Sequence, residues 1–555
     1  MQLPSPASAS AQALARALHI TITAADLLER RGYGDVEAAR RFLDPKLSQM
    51  TRPDAMADRV IAAERIAQAI RTREPTVIFG DYDCDGITAA VILTETIRLL
   101  GGKVTPMLAS RFDGGYGLSD PALARILEHR PSLLITCDCG SADAPRVLRA
   151  RQAGVDVIVI DHHLVPPEPL PALAFLNPHR PECGFPYKGM ASCGLAMSMA
   201  AAVRSALRVE LDVRRFLDLV AIGTIADVAP LDGDNRAMVR AGLEAIRKGG
   251  RPGLRALASS ARLDLARPLT SQDISFVIAP RLNAPGRLGR PEAALDLLLA
   301  CNDQEAQVAA RTCEEANQLR QEIQKTIVAE AEEQLRALGP RNAYVLASPA
   351  WHQGVVGIVA GRIASTLQRP VIVAAVDHQG VATGSVRTAH GIDIHQALGA
   401  CRELLLGFGG HAKAAGVTFR IERLADLQAA FALACASQDA VEAPPVACDV
   451  LLDPHDDPEK VVRDLARLEP CGEGNRVPRL GLPGVQLRNV REVRGGHLRA
   501  DVDFGRYTLG VFGPNLGAQL QTLTSSKVHL VGELRFDTYR GGGAVEIKAE
   551  ALVDG

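Results

Sequence analysis

The sequence of 555 residues has no long apolar run, no cysteine framework and no excess of charge, and each absence narrows the class of protein. No run of eighteen or more apolar residues occurs, so no membrane-spanning helix is expected. The N-terminus lacks the basic patch and apolar core of a secretory signal, so a cytoplasmic location is expected. The eleven cysteines are scattered, which argues against a disulfide framework. The net charge of -2 leaves a nucleic-acid partner open, because a basic groove can coexist with an acidic site.

What is present is typical of a soluble protein of several domains, with 47% hydrophobic and 23% charged residues. The chain is too long for one hydrophobic core. We expect five successive regions with different patterns. These are a helical region at 1–70, a parallel-sheet α/β domain at 71–235, a helical region ending in a long connector helix at 236–338, a smaller α/β domain at 339–442, and an all-β barrel at 446–555.

The pattern of apolar residues supports this division. From Pro75 onward, short apolar runs alternate with helical segments, which is typical of a parallel sheet covered by helices on both faces. Residues Asn302 to Leu338 contain neither glycine nor proline and are mostly polar, which predicts a connector helix. A second α/β pattern begins after Pro340, and short alternating runs after a linker at Ala443–Pro445 predict a small barrel.

The first candidate site is the string FGDYDCDG, in which Asp81, Asp83 and Asp85 follow an apolar strand. Ligands of open α/β sheets bind at the carboxyl ends of the strands. Three carboxylates so close together repel one another, and a divalent cation such as Mg²⁺ or Mn²⁺ relieves that repulsion. A solvated acidic turn or an adventitious calcium loop is the alternative.

Later strands end in the same kind of residue. Asp138 follows the strand SLLITC, and Asp161, His162 and His163 follow VDVIVI. Asp227 comes after an apolar helical run in GTIADV. Imidazole and carboxylate ligands together suit Mn²⁺, and a set of this size is enough for two metal ions that share a bridging carboxylate.

Three cysteines lie among these acids and raise the alternative of a zinc site. Cys84, Cys137 and Cys139 do not have the spacing of a zinc ribbon or zinc finger. We therefore expect them to be small buried hydrophobic residues.

The strings GDYDCDG, CDCG, DHH and GTIADV, in this order and at these intervals, resemble the four motifs of the DHH phosphoesterase superfamily. Further strings resemble its long members that degrade single-stranded DNA: FLDPKLS, RFDGGYGL, PRLNAPGRLG, ANQLRQ, GIVAGRIA, GSVRT, GGHAKAAG and EPCGEGN. The resemblance covers nearly the whole chain. It implies that the two α/β units are a DHH domain and a DHH-associated substrate-binding domain, and that the barrel is OB-like.

The resemblance also implies roles for the strand-end residues. Asp161 would orient a neighbouring histidine, and His163 would face the scissile phosphate. The implied metal ligands, of which Asp81 is the least certain, are Asp81, Asp83, Asp85, Asp138, His162 and Asp227.

Substrate binding is implied for residues outside the acidic cluster. Guanidinium groups suit a terminal phosphate because they bind its oxygens bidentately. The implied substrate-binding residues are Arg111, Arg281 or Arg287, Ser385, Arg387 and His411. In the alternative interpretation, Arg387 is a surface residue, and GGHAKAAG is only a tight turn. Arg281 and Arg287 would then make an internal salt bridge to acidic residues that clamps the two domains.

The function implied is hydrolysis of single-stranded DNA from its 5′ end to mononucleotides, in recombination and repair, with two Mn²⁺ or Mg²⁺ ions. A helicase and a single-strand-binding protein are implied as further partners of a monomer that binds no membrane. A DHH phosphodiesterase acting on short oligonucleotides or cyclic dinucleotides, and a non-catalytic DNA-binding scaffold, remain as alternatives. Aromatic residues make up only 4% of the chain, so the barrel is expected to offer few platforms on which bases stack.

Overall fold

The computed structural model describes residues 3–112, 117–389, 391–438, 447–521, 527–537, 540–541 and 543–555. The predicted linker Ala443–Pro445 and the centre of the string RFDGGYGL lie outside these residues. Within the described part of the chain, no helix combines the length and the apolar character needed to cross a membrane.

The chain begins with four helices: α1 (Ala9–Leu18), α2 (Ile22–Arg30), α3 (Val36–Leu43) and α4 (Arg59–Thr72). Five parallel strands then form the first sheet: β1 (Thr76–Gly80), β2 (Val104–Leu108), β3 (Leu133–Cys137), β4 (Asp156–Ile160) and β5 (Ala174–Leu176). Their order is β2-β1-β3-β4-β5. The chain therefore reverses direction across the sheet between β1 and β3, which is where open α/β sheets bind their ligands.

Helices cover both faces of this sheet. They are α5 (Cys84–Leu99), α6 (Asp120–Glu128), α7 (Ala144–Gln152), α8 (Ser192–Leu207), α9 (Leu217–Ala226) and α10 (Gly233–Arg247). All five residues of β1 and of β3 are buried, as expected for strands covered on both faces.

A helical segment links the two α/β domains: α11 (Pro252–Ser260), α12 (Ser271–Asp273), a π-helix (Ile274–Ile278), α13 (Ala279–Arg287), α14 (Glu292–Leu299) and α15 (Asp303–Leu338). Helix α15 has 36 residues and is the predicted connector. Asn302 caps its first turn by accepting the backbone N–H of Glu305.

The second α/β domain contains β6 (Tyr344–Ser348), α16 (Gln353–Leu367), β7 (Val371–Val376), β8 (Val381–Arg387), α17 (Ile394–Ala400), β9 (Leu405–Gly410), β10 (Ala414–Arg420) and α18 (Leu424–Ala436). Strands β6 and β7 are parallel and the other pairs are antiparallel, in the order β6-β7-β8-β10-β9.

The C-terminal unit, where it is described, is a seven-stranded sheet with the α-helix α19 and a short 3-10 helix (Ala518–Gln521). Its elements are β11 (Val450–Leu451), α19 (Pro458–Ala466), β12 (Leu480–Val485), β13 (Leu487–Val493), β14 (His497–Phe504), β15 (Tyr507–Gly513), β16 (Val528–Phe536) and β17 (Val545–Asp554). The predicted fold class is confirmed, because a parallel-sheet domain, a mixed-sheet domain and an all-β unit follow one another along the chain.

Helices α1 to α3 and the C-terminal barrel share one hydrophobic core, although they lie at opposite ends of the chain, whereas α4 packs against the first α/β domain. Carboxylates of the C-terminal unit also cap α2. Asp456 accepts the backbone N–H groups of Ile22 and Thr23 at 3.1 and 2.8 Å, and Asp464 accepts that of Thr21 at 2.7 Å. We therefore propose the five predicted regions as the domain organisation, with α1 to α3 of the first region and the whole of the last region treated as one packing unit.

A buried arginine of α10 joins this terminal unit to the rest of the chain. Arg236 of α10 is 2% exposed, and its guanidinium lies 3.9 Å from the centre of the Phe42 ring. It donates hydrogen bonds to five backbone carbonyl groups, which belong to Phe42, Arg467, Leu468, Glu469 and Pro470.

Replacing this arginine tests how strongly the two units are joined. We predict that Arg236→Met lowers the free energy of unfolding by roughly 3 kcal/mol, because buried acceptors that lose their donors are costly. Urea denaturation followed by circular dichroism measures the change. Arg214→Gln removes an exposed arginine that pairs with Asp212 and serves as the control. An unchanged midpoint for Arg236→Met would show that this contact does not hold the units together.

Candidate metal centre

The register of the first sheet brings three aspartates into a row. Gly80 of β1 is aligned with Cys137 of β3, and Cys137 is aligned with Ile160 of β4. The residue that follows each strand is an aspartate, so Asp81, Asp138 and Asp161 lie side by side at the carboxyl edge. The hydrogen-bond ladder continues through them, since Asp81 N donates to Cys137 O at 3.1 Å and Asp138 N donates to Ile160 O at 2.9 Å.

Two further carboxylates come from the start of α5. Asp83 caps this helix by accepting the N–H groups of Asp85 and Gly86. Asp85 is fully buried and accepts the backbone N–H groups of Ser192 and Cys193, at 2.7 and 2.9 Å, from the first turn of α8. The positive end of the α8 dipole therefore stabilises the Asp85 carboxylate.

His162 lies between carboxylates from three parts of the domain. Its Nε2 atom is 3.3 Å from Asp138 Oδ1, 3.6 Å from Asp227 Oδ2 and 3.8 Å from Asp85 Oδ2. Neighbouring ligands of an octahedral cation with bonds of about 2.1 Å are themselves about 3 Å apart. The observed separations are close to that spacing.

Asp161 does not join this cluster but holds the next histidine. Its Oδ1 atom lies 2.7 Å from Nδ1 of His163, and its Oδ2 atom accepts the N–H of Ser141 at 3.0 Å. Burial alone would raise the pKa of Asp161, but the hydrogen bond and charge of His163 and the hydrogen bonds of Ser141 hold it well below its usual range. Burial lowers the pKa of His163, and the Asp161 carboxylate outweighs this effect and raises it to about 9.

Asp227 reaches the cluster from the end of α9. A Cβ atom at Gly223 of this helix would lie 2.8 Å from Asp85 Oδ1 and 2.5 Å from Thr88 Oγ1, so only glycine lets α9 pass this close to the acids. Burial, followed by the charges of Asp85 and Asp83, raises the pKa of Asp227 to about 8.

These residues fit a centre for divalent cations. Three overlapping groups have donor atoms within 4.8 Å of one another, and Asp138 and His162 each belong to two of them. The groups are Asp81, Asp83 and Asp138; Asp85, His162 and Asp227; and Asp138, His162 and His163.

The buried polar atoms of this cluster also favour cation binding. Burial and the charges of neighbouring aspartates raise the pKa of both Asp81 and Asp138 well above the usual value. Asp81 Oδ1 and His162 Nε2 are buried and have no hydrogen-bond partner among the described residues. Unpaired buried polar atoms are costly unless a ligand satisfies them, and oxygen and imidazole donors suit Mg²⁺ or Mn²⁺.

The three neighbouring cysteines are buried, as predicted, at 1% exposure or less. Burial raises the pKa of the Cys84, Cys137 and Cys139 thiols, which keeps them protonated and unsuited to zinc.

A group of arginines lies beside the acidic cluster. The Arg111 guanidinium is 4.0 Å from the centre of the Tyr82 ring, and its buried Nε has no partner in the described part of the chain. Burial and the charge of Arg111 lower the pKa of Arg387, and burial, Arg111 and Arg320 lower that of Arg287 to about 10. Like charges this close together are typical of an anion site.

The second α/β domain contributes the other side of this arginine group. A Cβ atom at Gly357 of α16 would lie 2.9 Å from Ser385 Oγ and 3.9 Å from Arg387 Nη2, so this glycine leaves room for both side chains. Arg287 Nη1 donates to Gly354 O at 3.4 Å and thereby touches the same helix.

Two of the predicted substrate-binding residues make contacts of a different kind. Arg281 forms an ion pair with Glu314 of α15 at 2.5 Å and donates to Val277 O. This is an internal salt bridge, as in the alternative interpretation, but both partners lie in the helical segment between the two α/β domains. His411 is exposed at the turn between β9 and β10, where its N–H donates to Ala414 O.

Several residues at the site had no predicted role. Ser192 Oγ donates to Asp138 Oδ1 at 3.1 Å. In the sequence, Ser192 is recognisable only as a serine at the start of a helical segment, which does not indicate a contact with Asp138. Tyr82 stacks under Arg111, and Arg320 belongs to the string ANQLRQ, which carried no residue-level prediction.

Comparisons with known proteins agree with this arrangement. Three family models match the chain: "DHH family, N-terminal domain" at residues 75–224, "DHHA1 domain" at 341–437 and "RecJ OB domain" at 448–551. The single-stranded-DNA-specific exonuclease RecJ of Bacillus subtilis (strain 168) is 33% identical over 545 residues, which are 97% of this chain and 69% of that protein. The chain belongs to the RecJ family.

Other RecJ proteins give the same result. RecJ of Haemophilus influenzae is 39% identical over 410 residues, covering 70% of this chain and 71% of that protein. The crystal structure of RecJ from Thermus thermophilus in complex with Mn²⁺ aligns with a TM-score of 0.84 at 31% identity, over 100% of this chain and 79% of that one. The resemblance and the fold class predicted from the sequence are thus confirmed.

Neutralising the shared carboxylate tests the metal centre. Asp138 has a φ of 64°, a left-handed conformation that asparagine tolerates, so Asp138→Asn should keep the backbone. We predict that Mn²⁺ affinity falls by about tenfold or more. Without metal, the melting temperature should rise, because one of several crowded carboxylates is removed.

Calorimetric titration with Mn²⁺ and thermal unfolding with and without metal measure the two effects. Asp54→Asn, at an exposed aspartate that pairs with Arg52, is the control. Unchanged Mn²⁺ affinity in Asp138→Asn would remove Asp138 from the ligand set.

Proposed function

We propose that the chain is a metal-dependent exonuclease that degrades single-stranded DNA from its 5′ end and releases mononucleotides. The observation that carries this proposal is a cluster of carboxylates and His162 beside a group of arginines, in a chain of the RecJ family. RecJ from Thermus thermophilus has been crystallised with Mn²⁺ and with Mg²⁺, and the cluster has donors suited to both ions.

The proposed ligands of two cations are Asp81, Asp83, Asp85, Asp138, His162 and Asp227. What the bound cations supply is an activated water molecule and positive charge that offsets the charge developing on the phosphate. Asp138 is the proposed shared ligand, because its oxygens lie near both the Asp81 group and His162.

His163 is the proposed catalytic residue that contacts the phosphate. Its side chain is 43% exposed beside buried carboxylates, and Asp161 fixes the ring through Nδ1. The Asp161 carboxylate favours the protonated ring, with the pKa of His163 at about 9. A protonated ring would donate a hydrogen bond from Nε2 to a phosphate oxygen and so stabilise its charge.

The proposed 5′ polarity rests on the arginine group. A terminal phosphate carries more negative charge than an internal one, and Arg111, Arg287 and Arg387 offer several N–H donors in one place. Ser385 would add a hydroxyl donor. A strand that enters with its 5′ phosphate in this group would have its first internal phosphate available to the metal ligands.

Removing one of these guanidinium groups should reduce the preference for a phosphorylated end. We predict that Arg387→Gln raises KM for a 5′-phosphorylated strand by about tenfold or more, since charge-assisted hydrogen bonds contribute roughly 1.5–3 kcal/mol each. Cleavage of the same strand with a 5′ hydroxyl should change little.

Steady-state kinetics on the two substrates measures this difference. Arg281→Gln, at the arginine that pairs with Glu314, is the matched comparison and should leave the preference intact. Equal losses of Arg387→Gln on both substrates would argue against a terminal-phosphate site.

The direct test of the proposed function uses single strands labelled at either end. With Mn²⁺ or Mg²⁺, a 5′ label should appear at once as a mononucleotide, whereas a 3′ label should remain in progressively shorter strands. EDTA should stop the reaction, and an equivalent blunt duplex should resist it. Cleavage restricted to very short oligonucleotides, or binding without cleavage, would contradict the proposal.

The wider setting of this activity is part of the proposal. An enzyme restricted to single strands needs a supply of them, so we infer that a helicase and a single-strand-binding protein act with it in recombination and repair. We also infer that it acts as a monomer, because the proposed ligand set needs no donor from a second copy.

A further inference from the structure

The loop between α9 and α10, residues 227–232, carries the proposed ligand Asp227 and is here called the ligand loop. Among the described residues, no hydrogen bond is donated to the Asp227 carboxylate, whereas Asp85 accepts two backbone N–H groups. The position of the Asp227 carboxylate therefore depends on the backbone of the ligand loop.

That backbone is held in an unfavourable conformation. Val228, directly after Asp227, has a φ of 61°, and a β-branched residue is a clear outlier in this region. The Val228 side chain is 63% exposed, so its own packing does not compensate for the strain. Strained residues persist only where surrounding contacts fix the backbone, so the contacts of the loop matter.

One of these contacts comes from the far end of the chain. Residues 469–475, the string EPCGEGN, form a turn here called the tail loop. Leu231 N of the ligand loop donates to Glu473 O at 2.7 Å. Leu231 is 2% exposed, and a Cβ atom on Gly472 would lie only 2.7 Å from its Cδ1 atom. The two loops are thus joined by a hydrogen bond and by close packing.

The tail loop is rigid enough to act as a support. Gly472 and Asn475 exchange two backbone hydrogen bonds. The Asn475 side chain is buried, donates to Leu468 O and Pro470 O at 2.8 Å, and accepts from Arg31 at 2.6 Å. Arg236 donates to the carbonyl groups of Leu468 and Glu469, at the start of this turn, and fixes the turn to α10.

We infer that the tail loop positions Asp227 for metal binding, with Gly472 and the Glu473 carbonyl as the positioning elements. The C-terminal unit would then contribute to catalysis through the metal centre, independently of any DNA contact that it makes. This inference rests on the proposed role of Asp227 as a metal ligand.

The test adds side-chain volume at Gly472 of the tail loop and, in a second variant, removes the same volume at Leu231 of the ligand loop. Gly472→Val adds three carbon atoms where Leu231 lies, and Gly472 has no left-handed φ that a valine would strain. We expect Mn²⁺ affinity to fall by about tenfold, as for other residues that orient metal ligands. KM for single-stranded DNA at saturating Mn²⁺ should stay unchanged, because the DNA-binding residues are untouched.

Adding Leu231→Ala to Gly472→Val removes three carbon atoms from the same place and should recover most of the lost Mn²⁺ affinity. Gly250→Val is the matched control, since Gly250 also lacks a left-handed φ and has open space around it. If Gly472→Val does not fold, a milder pair of substitutions replaces it. Gly472→Ala adds one carbon atom at the contact, and Leu231→Val removes one. Mn²⁺ titration followed by electron paramagnetic resonance gives the affinities.

The variant Asp227→Asn distinguishes a failure of the proposed metal site from a failure of the positioning role of the tail loop. If this variant binds Mn²⁺ like the wild type, Asp227 is not a ligand and the proposed function loses that residue. If Asp227→Asn weakens binding but Gly472→Val does not, the tail loop does not position the ligand. A rise in KM for DNA at unchanged Mn²⁺ affinity, or no recovery in the double variant, would likewise overturn the inference.

Discussion

The structure depends above all on the repulsion between carboxylates gathered at one edge of the first sheet. The register of β1, β3 and β4 forces Asp81, Asp138 and Asp161 into a row, so the repulsion is built into the fold. The protein offsets part of it, because the first turn of α8 donates to Asp85 and His163 pairs with Asp161. Burial, followed by the remaining repulsion, raises the pKa of Asp138, and divalent cations would remove this repulsion.

The arginine group is the complement of this acidic edge. Its guanidinium groups come from three parts of the chain: Arg111 follows β2 of the first α/β domain, Arg287 ends α13 of the linking segment, and Arg387 ends β8 of the second α/β domain. Their mutual repulsion disfavours this arrangement when no anion is bound. An anion between them would remove that repulsion, as a cation does among the acids. The net charge of -2 is therefore the sum of local regions that include two of opposite charge. The acidic cluster suits a metal ion, and the arginine group suits a phosphate.

The sequence predicted the acidic edge because its logic is local: an apolar strand followed by an aspartate, repeated in parallel strands that must end together. It could not decide between Arg281 and Arg287, which lie six residues apart on α13 and so about 120° apart around its axis. Only the packing of α13 shows that Arg281 faces Glu314 and that Arg287 touches α16. The shared core of the two chain ends was also out of reach, because no local pattern records a contact between residues more than 400 positions apart.

The charged and aromatic residues of the barrel bear on how the C-terminal unit contributes to function. Arg499 and Arg535 both pair with the buried Glu546, and Arg540 pairs with Asp501, so much of the positive charge on these strands is already neutralised. Few aromatic residues are available for base stacking. Whatever contact such a barrel makes with DNA, its tail loop also touches the segment that carries Asp227. If Asp227 binds a metal ion, as proposed, this contact and the packing against α10 would connect the metal centre to the folding of both chain ends.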